Sequence, residues 1–134
     1  MRITSRGRYG LKAMMELAAG GLLKTREISE RQKIPQKYLE QIIHSLRKNN
    51  LVSSVRGADG GYRLARNPTE ITVLEILSAL EGDLSIIDRG DSTWDESTGN
   101  FWKELDEKIA GMLQIPLSDF MESGSRRGEL MYYI

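Results

Sequence analysis

"PQKYLEQIIHSLRKNNLVSSVRGADGGYRL", Pro35 to Leu64, changes its hydrophobic period once, and that change decides the fold. Over about Gln36 to Asn49, Leu39, Ile42, Ile43 and Leu46 recur at helical spacing, and Lys37, Glu40, Gln41, His44 and Lys48 fill the opposite face. Pro35 stands where a helix accepts its first residue, because no backbone hydrogen bond is lost there. Leu51 to Val55 then reads as a strand, rich in β-branched residues. Arg56-Gly-Ala-Asp-Gly-Gly supplies a tight turn and Tyr62 to Leu64 the return. The stretch is therefore a polar-faced helix followed by a short hairpin, with Arg56 at its base and Arg63 and Arg66 along its return.

The flanks extend the pattern. Upstream, Leu11, Met14, Met15 and Ala18 form a helical stripe within Arg8 to Ala19, ended by Gly20-Gly21. Thr25 is expected to cap a short helix, Arg26 to Gln32, with Ile28 inward. Downstream, Asn67-Pro68 breaks the chain, and Thr72 to Glu75 has the pattern of a capping box ahead of Val73, Ile76, Leu77 and Leu80. Residues 83–100 read as an acidic loop. A long helix is expected from about Thr98 to Leu113, with Phe101, Trp102, Leu105, Ile109 and Met112 crowding one side, then a short turn of helix from Leu117 to Glu122. Two short helices with a hairpin behind them make a winged helix-turn-helix. The predicted fold is α+β and mainly helical: a winged helix-turn-helix domain over residues 1–82, then an acidic loop, a C-terminal amphipathic dimerisation helix and a tail over 83–134.

The chain has 134 residues, one domain's worth, enough to bury roughly two thirds of its unfolded surface. It has no cysteine, which excludes disulfides, thiolate metal sites and cysteine-held iron–sulfur clusters. The first residues carry no apolar run, so neither a signal peptide nor a membrane span is expected, and the expected location is the cytoplasm. Net charge is zero, but it is divided. Residues 1–66 carry 14 Lys+Arg against 5 Asp+Glu, and residues 67–134 the reverse, 5 against 14. A basic half of this kind suits a polyanion.

Double-stranded DNA fits the pattern. Its major groove, about 12 Å wide, takes one α-helix. On helix 36–49, Gln41 can donate to or accept from a base edge, Glu40 can accept from cytosine, and Lys37 can reach guanine or a phosphate. His44, Arg47 and Lys48 suit the DNA backbone. The hairpin is thin enough for Arg56 to enter a narrow minor groove, with Arg63 and Arg66 toward phosphates. The competing readings are a merely solvated polar face and an ordinary hairpin. "GADGG" lacks the Lys-Ser/Thr and the helix of a phosphate-binding loop. His44 is the single histidine, the acidic residues lack calcium-loop spacing, and no catalytic constellation stands out, so neither a metal site nor an enzyme is expected.

The segments "MRITSRGRYGLKAMMELA", "PQKYLEQIIHSLRKNNLVSSVRGADGGYRLARNPTEIT" and "LEILSALEG" resemble the Rrf-two family of bacterial winged-helix transcription regulators. The likeness is strong over about residues 1–82. Asn50 stands where the family usually has glycine. Several members sense iron–sulfur status or nitric oxide through a cluster held by three cysteines in the segment corresponding to about 83–105. This chain has none there, and it is most similar to the cysteine-free branch that represses cysteine metabolism. The resemblance implies a homodimer joined through helix 98–113, with Phe101, Trp102, Leu105, Ile109 and Met112 at the dimer contact. It also implies a partly palindromic operator and repression of sulfur-uptake and cysteine-biosynthesis genes. Carried over by motif, the DNA-contacting residues are Thr4, Ser5, Arg6 and Tyr9 on the backbone; Lys37, Tyr38, Glu40, Gln41, His44 and Arg47 on the recognition helix; and Arg56, Gly60, Gly61 and Arg63 on the wing. Control in that branch comes through complex formation with cysteine synthase, an enzyme family that captures tails ending in isoleucine. Tyr133 and Ile134 are the candidate anchor here, the alternative being that Met131 to Ile134 packs on the dimer helix. Two other readings stay open: a regulator sensing a small effector directly in the 83–100 region, and a winged-helix protein-interaction module without DNA binding.

Overall fold

The computed structural model describes residues 1–87 and 96–132, with side chains over 1–87 and 97–124. The elements run α1 (Ser5–Gly20), α2 (Thr25–Gln32), α3 (Gln36–Lys48), β1 (Val52–Val55), β2 (Gly61–Leu64), α4 (Val73–Glu81), α5 (Glu96–Leu113) and α6 (Leu117–Tyr132). β1 and β2 pair antiparallel in the register Val52–Leu64, Ser53–Arg63, Ser54–Tyr62 and Val55–Gly61. Leu23 adds a third rung: its N–H donates to the Tyr62 carbonyl at 2.9 Å and its carbonyl accepts from the Tyr62 N–H at 2.7 Å.

The ends of the elements follow from local chemistry. α3 stops in a Schellman turn: Asn50 adopts φ 60°, its N–H donates to Arg47 O at 3.0 Å, and the Leu51 N–H reaches back to Leu46 O at 3.0 Å. Asparagine tolerates that left-handed conformation, so the family's glycine is not required. α4 starts on Thr72, whose hydroxyl accepts from the Glu75 N–H at 3.1 Å. The expected capping box is only half made, because the Glu75 carboxylate is engaged by Arg66 instead. α2 begins at Thr25 itself, and Lys24 holds the cap position, its N–H donating to the Glu27 carboxylate at 3.1 Å.

The core gathers Met14 and Leu17 of α1, Ile28 of α2, Leu39, Ile42, Ile43 and Leu46 of α3, and Ile76 and Leu80 of α4. Leu11, Met15 and Ala18, expected on the buried stripe of α1, sit only at the margin of this core; the deeper face is Ala13, Met14 and Leu17. Residues beyond 82 join it. Leu117 is fully buried, its N–H donates to Ile71 O at 2.7 Å, and the Val73 N–H donates to Ile115 O at 3.0 Å. The segment expected to be a short helical turn, 117–122, is the start of α6, which continues through Gly124 and Gly128 to Tyr132. Glycine's poor helix propensity hid its length in the sequence. Among the described residues, no helix is long and apolar enough to cross a membrane.

Candidate nucleic-acid interface

Four buried apolar residues pin α3 to the core and turn its other face outward. On that face Lys37, Glu40, Gln41, His44 and Arg47 are all exposed. None of the five side chains makes a hydrogen bond or ion pair with another described residue, so their side-chain donors and acceptors are free for a base edge or a phosphate. Together with Arg6 and Ser45, the first four line a shallow recess.

The first turn of α1 is built against this helix. Ser5 Oγ and Tyr38 Oη share a hydrogen bond at 3.2 Å, and the Arg6 guanidinium donates to Ser45 Oγ. Tyr9 meets Tyr38 edge to face, centroids 5.8 Å apart. Ser5, Arg6, Tyr9 and Tyr38, proposed from sequence as separate contacts, are thus half-buried residues that set α1 beside α3. Thr4 stands apart from them: its N–H and its hydroxyl both donate to Glu81 Oε1, at 2.9 and 2.7 Å.

On the wing, Arg56 and Arg63 are exposed and unpaired among the described residues. Gly60 is buried and Gly61 half-buried, so both glycines face the protein more than the solvent. Gly61 has φ 154°, and a Cβ there would lie 2.5 Å from Leu23 O; only glycine lets the hairpin lie this close to the strand-like rung before α2. The wing tip is braced a second time, by Lys24 Nζ donating to Ala58 O at 2.8 Å. Arg66 is exposed but not free. It is held by Glu75 and by Glu70 O, at the foot of α4.

On α5, Leu105 and Ile109 are half-buried, whereas Phe101 is 60% exposed, Trp102 43% and Met112 77%. Phe101 and Trp102 pack edge to face at 5.0 Å. At about 100° per residue the five share one side of the helix, so an apolar strip lies open to water. Behind α5, Ser85 Oγ and the Ile86 N–H donate to the Asp106 carboxylate at 2.7 and 2.8 Å. A cavity of about 290 Å³ opens between α4, residues 82–85 and α5, lined by Leu74, Ser78, Asp83, Leu84 and Asp106 among others. Tyr133 and Ile134 lie outside the described residues, as does the acidic stretch 88–95.

A family model for Rrf2, described as an iron-dependent transcriptional regulator, matches residues 3–123. The chain belongs to the Rrf2 family. It is accordingly a DNA-binding transcriptional regulator and not an enzyme. An HTH-type transcriptional regulator IscR of Klebsiella pneumoniae is 40% identical, over 84% of this chain and 74% of its own length. The structure of CymR, the global cysteine regulator of B. subtilis, superposes with a TM-score of 0.83 at 31% identity, covering 92% of this chain and 98% of that one. The T. potens IscR structure gives 0.75 at 38% identity, covering 92% and 88%. The iron in the family description finds no matching donors among the described residues of this Rrf2 chain. It has no cysteine, and among the described residues no group of three or more His, Asp or Glu side chains could hold a metal. Its single histidine, His44, is exposed on the outer face of α3.

Lys24 and Glu81 are the residues that sequence reading missed. Their partners lie 34 and 74 to 77 residues away, beyond the reach of any local periodicity. The one hint was chemical, a glutamate at the end of a helix where cations are favoured.

Proposed function

We propose that this Rrf2 regulator is a homodimeric repressor that places α3 in the major groove and the wing, residues 55–64, at the minor groove of a partly palindromic operator. The observation that carries the reading is the row of exposed, unspent side chains Lys37, Glu40, Gln41, His44 and Arg47 beside the anchored first turn of α1. Glu40 and Gln41 read base edges, Lys37 reaches guanine or phosphate, and His44 and Arg47 with Ser5, Arg6 and Tyr9 follow the backbone, while Thr4, expected among them, is spent on Glu81. Arg56 enters the minor groove and Arg63 stays on phosphates. The open strip of Phe101, Trp102 and Met112, continued by Leu105 and Ile109, is the dimer contact.

The regulated genes are those of sulfur uptake and cysteine biosynthesis, and cysteine synthase is the controlling partner, taking the tail through Tyr133 and Ile134. The lack of cysteine and the near full-length match to a cysteine regulator support this; the higher identity to IscR is what an experiment must weigh against it. The test is selection of bound genomic fragments by the purified protein, alongside Arg56→Ala and at two salt concentrations. One partly palindromic motif beside sulfur-metabolism genes, lost in the variant, is the expected result. Uniform retention of all fragments contradicts DNA reading, and a motif beside unrelated genes contradicts the regulon. Deleting Tyr133 and Ile134 is expected to abolish binding to cysteine synthase and leave operator binding intact.

The cavity behind α5 favours a second reading, direct control by a small effector. Isothermal titration with sulfur metabolites separates the two: saturable heat in the absence of any protein partner supports the effector.

A further inference from the structure

We propose that Glu81 is a positioning residue for DNA binding, fixing the first turn of α1 at the height where Ser5 and Arg6 meet the duplex. The proposal rests on the reading of that turn as a backbone-contacting element. Thr4 occupies the N-cap position with extended backbone, φ −82° and ψ 176°, and is a residue type that ordinarily caps its own helix, yet its side chain accepts nothing from α1. The first turn of α1 contains no acidic residue either. The missing anion comes from the last residue of α4. Glu81 Oε1 accepts from the Thr4 N–H at 2.9 Å, the Thr4 hydroxyl at 2.7 Å and the Gly7 N–H at 2.9 Å.

Three consequences follow. The Thr4 hydroxyl has one proton, and the carboxylate holds it, so in this arrangement Thr4 cannot also donate to a phosphate. The donors at the start of α1 serve to locate the turn, and Ser5 and Arg6 lie between its two anchored residues. A Cβ on Gly7 would run into the Glu81 carboxylate, so a side chain there would displace it. On the far side, the Ser5–Tyr38 and Arg6–Ser45 bonds tie the same turn to the recognition helix. The turn is therefore clamped between the end of α4 and α3, and Glu81 is the jaw supplied by α4. Past Glu81 the chain turns at Gly82, φ 79°, and reaches Ser85 and Ile86, which Asp106 fastens to α5. The jaw thus stands on the segment that meets the helix with the open apolar strip.

Two rival roles predict different outcomes. A carboxylate that only stabilises the fold changes thermal stability and not the affinity of the folded protein. A carboxylate that only repels DNA makes binding tighter when it is neutralised. Glu81→Ala, measured on operator fragments well below its melting temperature across a salt series, is expected to weaken binding about tenfold and to reduce the salt slope by about one phosphate contact. Glu81→Gln keeps an oxygen acceptor for the same donors and is expected to stay within about threefold of wild type. Glu81→Asp keeps the charge but draws the acceptor back by one methylene. It carries the test if the alanine variant does not fold, and it is expected to weaken binding and lower the slope in the same sense. Unchanged affinity and slope in both Glu81→Ala and Glu81→Asp, or tighter binding by Glu81→Ala and Glu81→Gln, overturns the proposal. Gln41→Ala and Arg56→Ala in the same assay keep the failures apart. If these two leave binding unchanged, the interface itself is misread; if they weaken it and the Glu81 variants do not, only the role of Glu81 is lost.

Discussion

α2 and α3 are neighbouring short helices with charged outer faces, and the two faces are wired differently. On α2 the charges satisfy one another. Arg26 pairs with Glu30 at 3.1 Å, and Arg31 with Glu27 at 3.8 Å and with Glu16 of α1 at 3.5 Å; Gln32 Nε2 donates to Glu16 at 2.6 Å. On α3 no such pairing occurs among Lys37, Glu40, Gln41, His44 and Arg47, although cations and an anion lie within a turn or two of each other. Similar composition therefore yields a scaffold in one helix and an open binding face in the other. A solvated helix face is ordinarily laced with i, i+4 pairs; a face kept free of them is available for a partner.

The largest effect that bears on this contrast concerns what holds α3 in place. Ile42→Ala, in a fully buried site, is expected to cost about 2–5 kcal/mol of stability in urea unfolding, enough to blunt every function of the helix. A loss below about 1 kcal/mol would mean α3 is not seated as described. Gln41→Ala comes next. It is expected to weaken specific operator binding by about 1–3 kcal/mol, or roughly five- to 150-fold, in a fluorescence anisotropy titration, with unfolding unchanged. Gly61→Ala probes the link from α2 to the wing. Its Cβ meets Leu23 O, so a stability loss of about 1 kcal/mol or more is expected. Weaker DNA binding should accompany it, because the hairpin can no longer rest against Leu23 and Lys24. Arg26→Ala, at an exposed i, i+4 pair on α2, is the smallest: about 0.3–0.5 kcal/mol in stability and less than about threefold in operator affinity. An affinity loss as large as that of Gln41→Ala would erase the distinction between the helices.

Much of this was legible because it is local. The buried stripe Leu39, Ile42, Ile43 and Leu46 fixed α3 by its period; Asn50 and Thr72 marked a helix end and a helix start, and both sit where expected. The turn glycines gave the wing. What escaped was non-local. Arg66 reads as one more cation on a basic hairpin until the fold brings Glu75 to it. Leu117 starts an apolar i, i+3, i+4 set with Phe120 and Met121, but nothing local shows that it closes the core by pairing with Ile71. Glu81 looks like an ordinary surface glutamate at the end of α4, and only the packing of α4 against α1 shows which helix it caps. The candidate interface was thus readable as a set of side chains, while the bonds that hold them in one frame belong to the tertiary structure.

The most direct test of the central claim, that α3 is a reading face and α2 a scaffold, compares two double variants on operator and scrambled DNA: Glu40→Ala with Gln41→Ala on α3, and Arg26→Ala with Glu30→Ala on α2. The account predicts that the α3 pair loses preference for operator over scrambled sequence while still binding DNA, and that the α2 pair keeps the preference of the wild type. Equal preference in both, or loss in the α2 pair alone, would contradict it.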